Sequence, residues 1–115
     1  DAKLDAFSST AAGVSALETL LPLTLQMVSE GAIDLCTALS ALTVRPARIM
    51  GLDAGTIAVG APADVAIFDP KEDWQVGPDT WLSQGRNTPY WGQTLKGRIR
   101  YTLMDGKLIK EPRRA

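Results

Sequence analysis

The chain has 115 residues, 45% of them apolar, and a formal net charge of −1. That length suits one small domain with enough apolar residues for a core, which excludes a disordered chain. A near-neutral charge gives no electrostatic basis for partnership with nucleic acid or an anionic membrane, and no stretch approaches the roughly 18 apolar residues of a membrane span.

Residues 1–14 are small and polar, with Gly13 as a breaker, and read as a loop. Ser15-x-x-Glu18 has the form of a capping box, in which the serine accepts from a free backbone N–H and the glutamate reaches back. Leu17, Leu20, Leu21, Leu25 and Val28 follow as a helical apolar stripe, interrupted by Pro22, which must sit near the first turn or bend the helix, and stopped by Gly31. Asp34 is placed to cap a second helix running to about Leu42. Pro46 suits the first position of a short third helix closed by Gly51.

After Gly51 the pattern changes. Residues 55–60 read as a turn and a short extended piece. Val65 to Phe68 is a continuous apolar run bounded by Asp64 and Asp69-Pro70, the pattern of a buried strand. Trp74-Gln75-Val76 reads as another short strand, and residues 83–94 as a long irregular loop. Arg98 to Met104 alternates imperfectly up to Asp105-Gly106, from which Lys107-Leu108-Ile109 returns. Asp-Gly between two such runs predicts a tight hairpin, because both central residues need positive φ. The basic run from Arg98 to Lys110 fits a solvated strand face. Residues 111–115 form a charged tail. Helices first and short strands after them predict an α+β arrangement, with a boundary near residue 52.

Few side chains here are equipped for chemistry. The sequence contains no histidine. Its one cysteine, Cys36, rules out an internal disulfide and any multi-cysteine zinc site; in the apolar stretch Leu35 to Leu42 it reads as a buried, inert thiol. Glu18 is accounted for by capping rather than by acid catalysis. Asp64, at a turn before a strand, suggests Asx-type bonding to backbone rather than a metal ligand. Asn87-Thr88-Pro89 shapes a loop. Trp74, Trp81 and Trp91 read as core or cover.

Four blocks carry a resemblance. Gly13-Val14-Ser15-Ala16-Leu17-Glu18-Thr19-Leu20-Leu21-Pro22-Leu23 is the first. Leu42-Thr43-Val44-Arg45-Pro46-Ala47-Arg48-Ile49-Met50-Gly51-Leu52 is the second, and the third runs from Gly60-Ala61-Pro62-Ala63-Asp64 to Asp69. The fourth extends from Ser83 through Asn87-Thr88-Pro89-Tyr90-Trp91-Gly92 to Gly97, Thr102 and Gly106. In this order they resemble the C-terminal end of the amidohydrolase superfamily, and within it most closely the bacterial dihydroorotases. Ala16 stands where that family usually has Gly, and Arg45 where it has Asn. The second and third blocks occur widely in cyclic amidohydrolases. The first and fourth favour dihydroorotase over dihydropyrimidinase and hydantoinase, with allantoinase the nearest competitor.

The resemblance implies an α+β fragment. Residues 1–52 would be the last helical segment of a metal-dependent-hydrolase (β/α)8 barrel, 53–110 the C-terminal strands of a small composite β-sandwich, and 111–115 a tail. A whole barrel takes about 250 residues, so the remainder of the same polypeptide would be the main partner. The implied activity is that of a cytoplasmic zinc hydrolase of pyrimidine biosynthesis, interconverting N-carbamoyl-L-aspartate and L-dihydroorotate. In the family, histidines, a bridging carboxylated lysine or aspartate, and a late aspartate in an Asp-His-Ala-Pro-His-like motif hold the metal. Asp1 and Asp5 are not followed by that motif, and no metal-binding or catalytic role is carried onto this chain. One site element is. The family's Pro-Phe-Gly-type loop, whose backbone N–H helps hold the substrate carboxylate, aligns with Ala11, Ala12 and Gly13, so the backbone of Ala12 and Gly13 is the candidate substrate contact. A homo-oligomer is one possible assembly. A second reading is a non-catalytic dihydroorotase-like subunit that scaffolds aspartate transcarbamoylase, and a third is a stand-alone interaction domain.

Overall fold

A computed structural model describes residues 6, 9 and 12–110. The 111–115 tail, Ala11, Asp1, Asp5 and most of the N-terminal loop lie outside the described residues. The elements run α1 (Leu20–Ser29), α2 (Leu35–Leu42), α3 (Val44–Met50), β1 (Val65–Gln75), β2 (Thr94–Met104) and β3 (Lys107–Lys110). The three strands form one antiparallel sheet in the order β1-β2-β3. Among the described residues the helices thus all precede residue 52 and the strands all follow it, the order the sequence pattern predicts.

Helix α1 begins later than the capping box predicts. Its N-cap is Thr19, with no side-chain cap bond, and Pro22 falls in its first turn, where the missing N–H costs no intrahelical bond. Leu25 is buried, whereas Leu17, outside the helix, is 83% exposed, so the predicted apolar stripe is only partly used. Helix α2 starts as expected. The Asp34 carboxylate accepts from the Thr37 N–H at 2.9 Å and from its hydroxyl, and these bonds to the charged form hold the Asp34 carboxyl below its ordinary value. Helix α3 begins at Val44, so Pro46 is its third residue rather than its first; Gly51 closes it in the left-handed conformation at φ 67°. Cys36 is exposed rather than buried, because α2 turns Ala38 inward and leaves Leu35 and Cys36 on its outer side.

The two separate strands expected within residues 65–76 are a single irregular one. Between Ile67 and Phe68 the register shifts by an extra residue on β2, and between Asp69 and Asp73 by extra residues on β1. Pro70 sits in the second irregularity, where its missing N–H breaks no ladder bond, and Asp69 Oδ1 accepts from the Lys71 N–H at 2.8 Å across it. The run Val65 to Phe68 is paired as a strand but not buried: Ile67 is half exposed. Continuous apolar composition reports only that a strand could be covered on both faces, and here no element of the described structure does so. At the other end of the sheet Asp105 (φ 50°) and Gly106 (φ 73°) make the predicted tight turn between β2 and β3. Arg98 and Arg100 lie against Glu72, at 3.5 and 2.8 Å, so part of the basic run is paired across the β1 bulge.

The core is small and sits where the sheet meets the 76–93 loop. Trp74, Val76, Trp81 and Leu95 are buried together, with Leu23 and Tyr90 packed against them. Trp74 Nε1 donates to the Gly97 carbonyl at 2.9 Å, and Trp81 Nε1 to that of Gly85 at 2.8 Å, so both indoles bury their rings without stranding a donor. Trp91, 40% exposed, meets Trp81 edge-on at 5.8 Å. Helix α1 reaches the sheet through Leu25, which lies over Gly97. A Cβ at Gly97 would come within 2.5 Å of Leu25 Cδ1, so the small residue is what permits the approach.

Candidate functional site

The residues singled out for a substrate contact, Ala12 and Gly13, lie on the surface just before α1, with Gly13 at φ 66°. A left-handed φ turns the chain sharply at little cost only for glycine. The turn is held from across the molecule. Asn87 Nδ2 donates to the Ala12 carbonyl at 3.1 Å and to the Gly13 carbonyl at 2.8 Å. In return the Asn87 carbonyl accepts from the Ser15 N–H at 2.7 Å. Both side-chain bonds end on carbonyl oxygens, so only the amide nitrogen of Asn87 can make them.

Glu18 supplies a second tie between the same two segments. Its carboxylate accepts from the Leu82 N–H at 2.9 and 3.1 Å and from the Ser83 N–H at 2.7 Å. The capping role read from sequence is therefore wrong. Glu18 instead satisfies backbone donors of the 82–83 loop, far along the chain. Between the two ties, Gly85 approaches so closely that a Cβ there would lie 2.6 Å from Ser15 Oγ. Asn87 shapes its own loop, where the Thr88 N–H donates to the Arg86 carbonyl at 2.9 Å, and it also holds the remote one at 12–15.

Asp64 also bonds to backbone, but across the sheet rather than locally. Its Oδ1 accepts from the Asp105 N–H at 2.8 Å, and the Ala63 carbonyl accepts from the Gly106 N–H at 3.1 Å, anchoring the hairpin turn. Among the described residues no three His, Cys, Asp or Glu side chains come together in a way that could hold an ion. With no histidine in the sequence, these residues do not fit the metal centre that the resemblance implies. An apolar depression of about 330 Å³ lies between α3 and the Leu52–Gly55 turn, and only Thr43 among its lining residues carries a polar side chain. Its side chains therefore offer only the Thr43 hydroxyl to orient a polar substrate.

A family model described as "Amidohydrolase family" matches residues 23–109, most of the chain. The chain belongs to the amidohydrolase family. Among curated members it is 45% identical to the dihydroorotase of Aquifex aeolicus over 97 residues, which is 84% of this chain and 23% of that protein. It is likewise 45% identical over 111 residues to a dihydroorotase-like protein of Pseudomonas aeruginosa, covering 96% of this chain and 26% of that one. Among amidohydrolases of known structure, a D-hydantoinase superposes with a TM-score of 0.81 at 30% identity over 92% of this chain and 24% of its own. The L-hydantoinase (dihydropyrimidinase) of Arthrobacter aurescens gives 0.80 at 28% identity, over 90% of this chain and 24% of its own. The chain spans about a quarter of the length of these amidohydrolases.

Proposed function

We propose that these residues serve as part of a dihydroorotase, the hydrolase that opens and closes the cyclic amide linking L-dihydroorotate and N-carbamoyl-L-aspartate. The observation that carries this reading is the identity gradient: 45% to the A. aeolicus dihydroorotase against 30% and 28% to the two hydantoinases, over similar shares of the chain. Residues 1–52 then correspond to the last helical segment of the barrel, 53–110 to the C-terminal strands of the small β-sandwich, and 111–115 to a tail. Zinc, which supplies the activated hydroxide in this chemistry, would be held by residues beyond these 115, and no step of the reaction is assigned to a group on this chain. What this chain contributes is substrate positioning, through the backbone of Ala12 and Gly13 against the substrate carboxylate, and a scaffold behind it. The enzyme would work in the cytoplasm. Among the described residues no helix is long and apolar enough to cross a membrane.

One observation favours a second reading. The P. aeruginosa relative and one from Pseudomonas putida, 42% identical over 97% of this chain, are both named dihydroorotase-like protein. In that case the polypeptide would be a non-catalytic subunit holding an aspartate transcarbamoylase assembly. Turnover decides between them. The whole polypeptide, supplied with zinc, should convert L-dihydroorotate faster than hydantoin, dihydrouracil or allantoin, by at least about 100-fold in kcat/KM if the carboxylate is recognised by dedicated contacts. Preference for hydantoin or allantoin would reassign the substrate. No turnover of any of the four, with tight co-purification of aspartate transcarbamoylase, would establish the scaffold reading.

A further inference from the structure

We infer that Asn87 is a positioning residue for the substrate-carboxylate loop, acting through the Ala12–Gly13 backbone; this rests on the dihydroorotase reading above. Asn87 makes three hydrogen bonds to one short segment: two from its side-chain nitrogen to the Ala12 and Gly13 carbonyls, and one from the Ser15 N–H to its own carbonyl. The sequence separation is 75 and 74 residues for the first two, so the contact belongs to the tertiary fold rather than to a local turn.

The chemistry of these bonds explains why an asparagine is needed. Each carbonyl fixed by the amide also fixes the plane of the peptide unit that follows it, because the C=O and the next N–H are coplanar. Holding the Ala12 carbonyl therefore sets the direction of the Gly13 N–H, and holding the Gly13 carbonyl sets that of Val14. A glycine in this loop would otherwise sample many conformations, and presenting a backbone donor to a carboxylate would require ordering it at the moment of binding. The two Asn87 side-chain bonds supply part of that ordering in advance. Asn87 is itself braced on both sides. Glu18 holds the Leu82 and Ser83 amides before it, and the Thr88 N–H donates to the Arg86 carbonyl at 2.9 Å, closing a tight turn at Asn87 itself.

Two substitutions separate positioning from simple shape. Asn87→Ala removes the donor and the volume. Asn87→Asp keeps the volume but turns a donor into a carboxylate facing two carbonyl oxygens. In the whole polypeptide both should raise the KM for L-dihydroorotate about tenfold or more while kcat stays within about twofold, the signature of lost binding rather than lost chemistry. Hydrogen exchange read at the Ser15 amide should quicken in both variants. An Asn87→Asp enzyme with wild-type KM and exchange would overturn the inference, as would an Asn87→Ala enzyme with faster exchange but unchanged KM. If the unsubstituted polypeptide turns over no dihydroorotate, the dihydroorotase reading fails on that result alone, while the exchange measurement still decides whether Asn87 fixes the loop.

Discussion

The 115 residues expressed by themselves should self-associate. The described structure has a radius of gyration of 16.1 Å, against about 13 Å for a compact domain of this length, and extends 51 × 37 × 29 Å. Its buried apolar residues gather around Trp74, Val76, Trp81 and Leu95, and large apolar side chains remain outside: Leu17 and Ile49 are each 83% exposed and Ile57 88%, with Met50, Leu52 and Val59 also exposed. A side chain of this kind left in water forgoes roughly 1.5–3 kcal/mol of burial. A handful of them amounts to on the order of 10 kcal/mol, as large as the net stability of a whole domain. Light scattering should show oligomers or aggregate, an apolar dye should bind, and thermal unfolding should be broad. A monodisperse monomer with a sharp cooperative melt and no dye binding would show that these residues satisfy their own surfaces.

Gly55→Ala should be among the most damaging single substitutions. Gly55 has φ 81°, where a left-handed backbone costs an ordinary residue roughly 1–2 kcal/mol. A Cβ there would also lie 2.9 Å from Thr43 C and Val44 N, the backbone at the start of α3, which cannot rotate away as a side chain can. Gly60 provides the control. Its φ is 88°, but nothing lies within 4 Å of its Cβ position, so Gly60→Ala carries the conformational cost alone. Denaturant unfolding of the whole polypeptide should place Gly55→Ala below Gly60→Ala by about 1–3 kcal/mol, the typical cost of overpacking. Equal losses at the two sites would mean that the α3 corner yields, and that the close approach at Gly55 is not structurally required.

What could be read from the sequence was whatever is decided within a few residues. Asp34 caps α2 because Thr37 is a helical turn away, Gly51 ends α3 through its own φ, and Asp105-Gly106 turns the hairpin through the φ of the pair. Elements whose fate depends on distant partners were misread. Glu18 has the spacing of a capping box, but the Leu82 and Ser83 amides take its carboxylate from 64 and 65 residues away. Asp69-Pro70 looks like a strand end, yet β2 continues beside it and the bulge absorbs the proline. Burial was the least legible property. Val65 to Phe68 and Cys36 have the composition of interior residues and lie largely at the surface, because composition states what could be covered and not what covers it. The candidate site shows the same division. Gly13 marks itself as a turn, while nothing near Asn87 in the sequence announces that its amide reaches back to Ala12 and Gly13.

The central claim is that this chain positions substrate and braces the site while the metal chemistry comes from elsewhere in the polypeptide. Zinc content and dihydroorotate turnover, measured side by side on the whole polypeptide and on the 115-residue chain, test it most directly. The account predicts bound zinc and turnover in the whole polypeptide, and neither in the chain alone. Stoichiometric zinc with turnover in the isolated chain, or a zinc-loaded whole polypeptide that leaves dihydroorotate untouched, would contradict it.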